Sequence, residues 1–324
     1  MKSPKRALNK TKGRKMKKIL ILFAALSVLI LAGCLSTLTR QTGISAPETR
    51  TGTQALEMRF IENAPPATVY VNSSFVAAIE LWNKGSYDLI DGVYTISYDK
   101  NYLGLSREYG DIPELAGKSI ANTLGEKRIL SIDANAKELP SQMERISLPI
   151  VLNACYSYAT IANPSVCIDT DVYSEIPQTK KPCAIKSVSL GSGQGAPVVI
   201  SSVEPKMLAA TERLIRPEFT ITIRNAAKGL VVSKNKIYEA CTPGTIPPEE
   251  FNVAYLKVIL SQDQLKCRPD NVKFTNGQAT VICSLEQGID RRAGTYTAPL
   301  YIELDYGYAS SVAKTFELKR IVEK

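Results

Sequence analysis

Reactive side chains limit the chemistry open to this chain, which has seven cysteines and no histidine. Because imidazole is the usual general base, its absence excludes Ser/His/Asp and Cys/His nucleophilic catalysis. Two carboxylates that face a cleft can hydrolyse a glycoside without histidine. The closely spaced acids Asp169 and Asp171, and Glu249 and Glu250, are instead typical of solvated turns, although the oxygens of Asp169-Thr170-Asp171 are also of the type that binds calcium. We therefore expect no catalytic residues, no bound metal and no cofactor.

The position of the first cysteine, Cys34, indicates where the chain is sent. Met1 to Lys18 is basic with no acidic residue, and Ile19 to Ala32 is an uncharged apolar run. This order is that of a signal peptide, and the run is shorter than the ~20 apolar residues of a spanning helix. Leu31-Ala32-Gly33-Cys34 follows at the cleavage position and resembles the lipobox of prokaryotic lipoproteins, which implies that Cys34 becomes the lipidated first residue. The alternative is an uncleaved signal anchor from Ile19 to about Leu38.

Both alternatives place the rest of the chain on the same side of the membrane. The basic segment stays cytoplasmic by the positive-inside rule, and the residues after Cys34 face outward. The nine Lys and Arg residues of that segment account for the whole net charge of +9, so the exported part is neutral. Nucleic-acid binding needs clustered positive charge on the folded part. We therefore expect membrane contact through the N-terminal segment, folded domains on the extracellular side of the cell membrane, and no nucleic-acid partner.

Six cysteines remain once Cys34 is assigned to the lipid: Cys155, Cys167, Cys183, Cys241, Cys267 and Cys283. An even number in an exported chain predicts three disulfides. The segment Ile161 to Pro164 is typical of a hairpin turn, which would place Cys155 opposite Cys167. The Asn276-Gly277 turn sets a register that brings Cys283 close to Cys267. By elimination, Cys183 would pair with Cys241.

Composition and turn signals divide the chain into four parts. Residues 1–34 are the signal peptide or anchor, and residues 35–54, rich in Ser, Thr and Gly, are a flexible tether. Short runs of β-branched and aromatic residues, with almost no helical period, predict strands in the remainder. Gln178 to Pro182 marks a junction between two halves. We expect an all-β fold with two immunoglobulin-like β-sandwich domains, residues 55–180 and 181–324.

A weak internal repeat is also present. Ile79 to Gly85 and Ile221 to Gly229 each run from an apolar strand into an Asn and then a Gly. This pattern resembles the strand ending of immunoglobulin-like adhesion modules on archaeal and bacterial surface proteins. The segments Ala154 to Asp169 and Pro299 to Tyr308 are likewise similar to archaeal surface proteins that carry no known chemistry. The resemblance implies a fold and a cell-surface location only.

A cluster of tyrosines and one glycosylation sequon are the remaining features that could contribute to ligand binding or modification. Tyr296, Tyr301, Tyr306 and Tyr308 lie near one strand pair. Such aromatic residues suit a binding face, but they suit a sandwich core equally well, and we favour the core. Asn72-Ser73-Ser74 is an N-glycosylation sequon in an exported segment.

Together these features predict a membrane-tethered extracellular protein with a binding or structural role at the cell surface and no catalytic activity. Its expected partner is a surface protein or a glycan. The irregular loops Ser106 to Lys127 and Asn235 to Asn252 are the expected contact surfaces, because rigid scaffolds usually present function on loops. Two alternatives stay open: a surface hydrolase that uses carboxylates, and an accessory subunit of a secretion or pilus system.

Overall fold

Strands make up nearly all of the regular structure. The computed structural model describes residues 48–172, 181–242 and 246–321. In these ranges the chain has twenty strands and one short α-helix, so the predicted all-β class is confirmed. Among the described residues no helix is both long enough and apolar enough to cross a membrane. The predicted signal peptide or anchor, residues 1–34, and most of the tether lie outside the described ranges.

The first nine strands precede the predicted junction. They are β1 (Leu56–Phe60), β2 (Thr68–Tyr70), β3 (Ser74–Asn83), β4 (Gly92–Ser97), β5 (Leu103–Leu105), β6 (Tyr109–Asp111), β7 (Lys127–Ala136), β8 (Arg145–Ala162) and β9 (Ser165–Asp169).

The remaining strands and the helix follow the junction. They are β10 (Val188–Ser189), β11 (Val198–Ala209), β12 (Leu214–Asn225), β13 (Leu230–Val232), α1 (Ile237–Cys241), β14 (Val253–Leu260), β15 (Asp263–Gln264), β16 (Lys266–Arg268), β17 (Asn271–Lys273), β18 (Gln278–Ser284), β19 (Ile289–Asp290) and β20 (Thr295–Lys319). Single 3₁₀ turns occur at Glu48–Arg50, Lys234–Lys236, Pro248–Glu250 and Arg291–Ala293.

The alternating side-chain pattern explains these strands. In β12 the apolar residues Phe219, Ile221 and Ile223 are fully buried, and the residues between them are more exposed. Successive side chains of a strand point to opposite faces, so this pattern buries one face and leaves the other wet. Burial of each such side chain contributes roughly 1.5–3 kcal/mol.

Three sheets result from the pairing. One has the order β1-β3-β7-β5, and a second has the order β10-β11-β12-β18-β16 with β19 beside β12. The third and largest follows β15-β14-β20-β8-β4-β6, and short strands β2, β9, β13 and β17 attach to it. At its centre all 18 residues of β8 pair antiparallel with β20.

The two halves of the chain repeat one topology. Strands β1, β3, β7 and β5 have the same sheet order as β11, β12, β18 and β16. In the large sheet, β6-β4-β8 corresponds in the same way to β17-β14-β20. Tyr156 to Thr160 reads YSYAT, and Tyr306 to Ser310 reads YGYAS. Because Tyr156 pairs with Tyr308 and Tyr158 with Tyr306, a local two-fold axis at Ser157 and Gly307 relates the repeats.

The repeats share one sheet and one core. The smaller sheets pack on the large sheet: Phe75 of β3 lies 5.3 Å from Phe316 of β20 between ring centroids, and buried residues from all three sheets form one continuous cluster. Strand β20 has 25 residues, which span about 80 Å at ~3.4 Å per residue. This length lets it run through both sandwiches. The boundary expected near residue 180 therefore does not separate two sheets, and the chain from Thr49 onward forms one compact unit.

The disulfides correct two of the three expected pairings. Cys267 pairs with Cys283, as expected. The register differs from the predicted hairpin, because β16 pairs with β18 and places Cys267 directly opposite Cys283, whereas β17 pairs with β14. Cys155, however, pairs with Cys241, and Cys167 pairs with Cys183. The predicted hairpin at Ile161 to Pro164 is wrong, because β8 and β9 run in the same direction and both pair with β20. Twelve residues of extended chain separate Cys155 from Cys167, a distance of about 40 Å that no disulfide spans.

Candidate functional site

The acidic residues singled out in the sequence are engaged in structural contacts. Asp169 Oδ2 accepts a hydrogen bond of 2.6 Å from Lys181 Nζ, and its Oδ1 accepts one of 2.9 Å from Thr295 Oγ1. Asp171 is buried, with Lys181 Nζ 3.9 Å from its carboxylate. Burial is the largest single influence and would raise the pKa of Asp169, but the hydrogen bonds from Lys181, Thr295 and the Asp171 N–H together outweigh it and lower the pKa. A lysine thus lies where a cation would bind, and no cluster of metal ligands occurs within the described ranges.

The other singled-out residues lie apart from one another. Asn72 lies in the turn before β3 with a φ of 57° and donates a 3.0 Å hydrogen bond to Glu138; its glycosylation stays a prediction. Glu249 and Glu250 lie in a surface 3₁₀ turn. Tyr296 and Tyr301 are half-buried on β20, whereas Tyr306 and Tyr308 are fully buried.

Four buried tyrosines form the centre of the large sheet: Tyr156, Tyr158, Tyr306 and Tyr308. Neighbouring rings meet at steep angles, with centroids 5.9 Å apart for Tyr156 and Tyr158 and 6.4 Å apart for Tyr306 and Tyr308. Edge-to-face packing of this kind stabilises the core beyond its buried area. Burial raises the pKa of all four hydroxyls, that of Tyr308 to about 12, so they stay protonated and act as hydrogen-bonding groups.

One tyrosine of each repeat anchors the asparagine at the end of a strand. In the first repeat, Tyr158 Oη donates to Asn83 Oδ1 over 3.1 Å and accepts from Tyr87 N over 3.3 Å. Asn83 Nδ2 in turn donates to the carbonyl oxygens of Tyr87 (2.8 Å) and Leu115 (2.9 Å). Asn83 is completely buried. This network fixes the turn Gly85 to Tyr87 against the large sheet.

The second repeat has the same network at equivalent positions. Tyr308 Oη donates to Asn225 Oδ1 over 3.2 Å and accepts from Gly229 N over 2.8 Å. Asn225 Nδ2 donates to Gly229 O over 2.8 Å. A side chain on Gly229 would lie 2.4 Å from the Tyr308 ring, and one on Gly85 would lie 1.9 Å from Tyr158 Oη. The Asn and the Gly of the sequence repeat therefore both contact one tyrosine, Tyr158 in the first repeat and Tyr308 in the second. The sequence did not predict these contacts with tyrosine.

The two equivalent turns differ in what lies beside them. Next to the second turn, Ala227 to Gly229, are two adjoining cavities of about 590 and 360 Å³. We call them together the open groove. They share Lys228, Gly229, Ser310 and Ser311. At the first turn, Gly85 to Tyr87, the corresponding space, which we call the closed groove, is only about 10 Å³. The open groove is lined by residues of both repeats.

The expected contact loops contribute little to this groove. Ser106 to Lys127 carries β6 and two exposed apolar side chains, Ile120 and Leu124. Asn235 to Asn252 contains α1, which packs on β4 and β8 and is fixed there by the disulfide between Cys155 and Cys241. Only the end of α1 reaches the groove wall. The sequence signal for the site was the repeat of YSYAT as YGYAS, which links positions 150 residues apart.

Fold and site together define a class: an all-β, disulfide-linked protein in which two equivalent sandwich repeats share a central sheet. Comparison with known protein families and with curated proteins found no match.

Proposed function

We propose that this chain is a membrane-tethered extracellular protein of the cell surface that binds or supports other surface molecules and has no catalytic activity. Its N-terminal segment would hold it to the membrane, through a lipid on Cys34 or through an uncleaved anchor. The two sandwich repeats would act as immunoglobulin-like modules, and a surface protein or a glycan would be the partner.

The observation that carries this proposal is the disulfide framework. All six cysteines beyond Cys34 are paired, in three disulfides whose Cα atoms are 5.7, 5.8 and 3.9 Å apart. Disulfides persist outside the cytoplasm and are rare inside it. A signal-like N-terminus followed by a chain with every remaining cysteine in a disulfide therefore supports export.

The open groove lacks the acids that carboxylate chemistry needs, whereas a separate cavity of about 280 Å³ is lined by Asp171, Glu212 and Asp290 together with three arginines. Hydrolysis by two carboxylates needs a pair of acids that face one cleft. Among the described residues that line the open groove, Glu57 is the only acid. Its carboxylate forms an ion pair with Lys84, with 2.8 Å between Glu57 Oε2 and Lys84 Nζ. A rigid groove with one neutralised acid is better suited to holding a ligand than to cleaving it.

The test is the intact mass of the protein extracted from membranes of a prokaryotic host, with and without reduction and alkylation. We expect a chain from Cys34 to Lys324 plus a lipid, with six thiols that become alkylated only after reduction. A Cys34→Ala variant is the control and should keep the uncleaved N-terminus. Recovery of an unlipidated chain from the cytoplasm, with thiols that react before reduction, would refute the proposal.

A further inference from the structure

The open groove has a built-in counterpart that shows what such a groove can hold. At the closed groove, the chain's own segment Thr49 to Gly52 lies beside the turn Gly85 to Tyr87. Gly52 N donates to Ser192 O over 2.8 Å, and Gly195 N donates to Gly52 O over 2.8 Å. Ser86 Oγ donates to Thr49 O, and Arg50 lines the remaining cavity. The groove is therefore filled by a short segment that leaves the 3₁₀ turn Glu48–Arg50 and is held mainly through its backbone.

The open groove has the same walls without that occupant. Ala309 and Ser311 of β20 take the places of Ala159 and Ile161 of β8. No described segment lies there in the way that Thr49 to Gly52 lies in the closed groove, and this leaves the cavities of about 590 and 360 Å³. The space is large enough for several residues of extended peptide.

One wall of the open groove is a strand edge. Leu56 to Met58 of β1 line it, and within the described ranges β1 pairs only with β3. In the second repeat the equivalent strand β11 is covered on the same side by β10. An uncovered edge presents backbone N–H and C=O groups that can pair with an added strand. The second repeat thus shows how a short segment can cover this edge.

The charge of the open groove distinguishes it from the closed one. Lys228 stands where the closed groove has Ser86, whose hydroxyl holds a carbonyl oxygen. Lys228 is exposed and has no ion pair or side-chain hydrogen bond with any residue that the structure describes. The hydroxyl of Ser310 at the same wall is buried beside Tyr156, so it is not available to an occupant. The groove therefore offers one cation to an occupant, and a carboxylate complements it.

From these observations we propose that the open groove binds an extended peptide segment that carries a carboxylate, with its backbone along β1 and its acid at Lys228. The proposal deepens the surface-binding function proposed above and rests on it for its biological setting. Its geometry rests on the described residues alone.

The experiment measures fluorescence anisotropy of a labelled peptide with the full-length protein in detergent micelles. The probe is Thr-Glu-Thr-Gly-Thr-Gln with a blocked C-terminus. It copies residues 49–54, with Glu at the position of Arg50. The matched peptides carry Gln or Arg at that position. We expect saturable binding of the Glu peptide and at least tenfold weaker binding of the other two, since one charge-assisted contact is worth about that factor.

Two variants locate the binding site. Lys228→Glu should reverse the preference, so that the Arg peptide binds better than the Glu peptide. Lys186→Glu, at another exposed lysine of the same chain, should leave the preference unchanged. Ser311→Trp should fill the groove and abolish binding of every peptide while the circular-dichroism spectrum stays that of the parent.

Several results would overturn the proposal. Equal binding of the three peptides, or an unchanged preference in Lys228→Glu, would remove the carboxylate from the site. Binding of an acidic polysaccharide such as polygalacturonate, with no binding of the peptides, would assign the groove to glycans. Self-association that Ser311→Trp abolishes, with no peptide binding, would assign it to a second copy of the chain. None of these results changes the mass measurement, so failure of the peptide model and failure of surface tethering remain distinguishable.

Discussion

The paired tyrosine–asparagine turns allow one substitution to be compared at two equivalent sites. Tyr158→Phe and Tyr308→Phe each remove one hydroxyl that donates to an asparagine and accepts from a backbone N–H. Both rings are at most 2% exposed. The chemistry removed is the same, so any difference in stability comes from the surroundings.

The surroundings predict a larger loss in the first repeat. Asn83 is 0% exposed, so after Tyr158→Phe no water reaches the vacated contact, and the Tyr87 N–H loses its partner. An unsatisfied buried group costs about 1–3 kcal/mol, which gives roughly 2–3 kcal/mol for this variant. After Tyr308→Phe the Gly229 N–H borders the open groove, where water can replace the hydroxyl, and about 1 kcal/mol is expected.

Urea unfolding measures the difference. The chain has one tryptophan, Trp82, which adjoins Asn83 on β3 and donates to Leu124 O over 2.7 Å. Its emission therefore reports on the first repeat, and far-UV circular dichroism reports on all strands. A gap of about 1 kcal/mol between the variants is roughly a fivefold change in the folding equilibrium. Tyr70→Phe, at a 46% exposed ring, is the control and should change stability by less than about 0.5 kcal/mol. An equal loss in both variants, or a larger one in Tyr308→Phe, would refute the argument that the open groove is accessible to water.

Three further predictions test the turn, the disulfides and the ion pair between Asp169 and Lys181. Gly85→Ala places a methyl 1.9 Å from Tyr158 Oη and should lower the free energy of unfolding in urea by more than about 3 kcal/mol. The control Gly191→Ala, whose methyl would have no atom nearer than 3.7 Å, should lower it by less than about 1 kcal/mol. Similar losses in the two variants would contradict the close approach of Gly85 to Tyr158. Replacing both Cys155 and Cys241 by Ser opens a loop of 86 residues and should lower stability by about 4.6 kcal/mol. The same change at Cys167 and Cys183, which are 16 residues apart, should cost about 3 kcal/mol; the opposite order of melting temperatures would reject this ranking. The pKa of Asp169 is lower in the folded chain than in the unfolded one, so its contribution to stability is present above about pH 4 and is lost as the pH falls through the folded value; Asp169→Asn should therefore flatten the decline of the urea midpoint between pH 5 and pH 2, and an unchanged decline would exclude this ion pair as its source.

Local signals in the sequence predicted local structure well. The alternation of apolar residues identified strands such as β3 and β12, and Asn276-Gly277 forms the expected turn, with Thr275 bridged to Gln278. The pattern of Asn followed by Gly correctly indicated the ends of β3 and β12. It did not indicate the hydrogen bonds between each Asn and its tyrosine. These predictions succeed because each depends on residues within one turn or one strand.

Pairings between distant segments were not predictable in the same way. Asn163-Pro164 is typical of a turn, yet β8 continues past it into β9 because both segments pair with β20, more than 100 residues later in the chain. The expected pairing of Cys155 with Cys167 failed for this reason. The partner of a strand is set by the packing of the whole sheet, which the residues of the strand itself do not encode. The sequence did not predict the open groove for the same reason, because its walls come from three distant segments: β1, β20 and the turn after β12.

The asymmetry of the two grooves follows from the duplication itself. Two equivalent repeats related by a local two-fold axis would have identical grooves if each had its own segment to fill it. Here the segment before β1, at Gly52, and the segment before β11, at Ser192 and Gly195, meet at the closed groove. Gly52 forms backbone hydrogen bonds with both Ser192 and Gly195. Thr53 and Gln54 border the open groove, but the residue before them, Gly52, is held at the closed groove. With both segments held at the closed groove, neither of them fills the open one, and a ligand of the kind proposed above would contact Lys228 and Ser311 there.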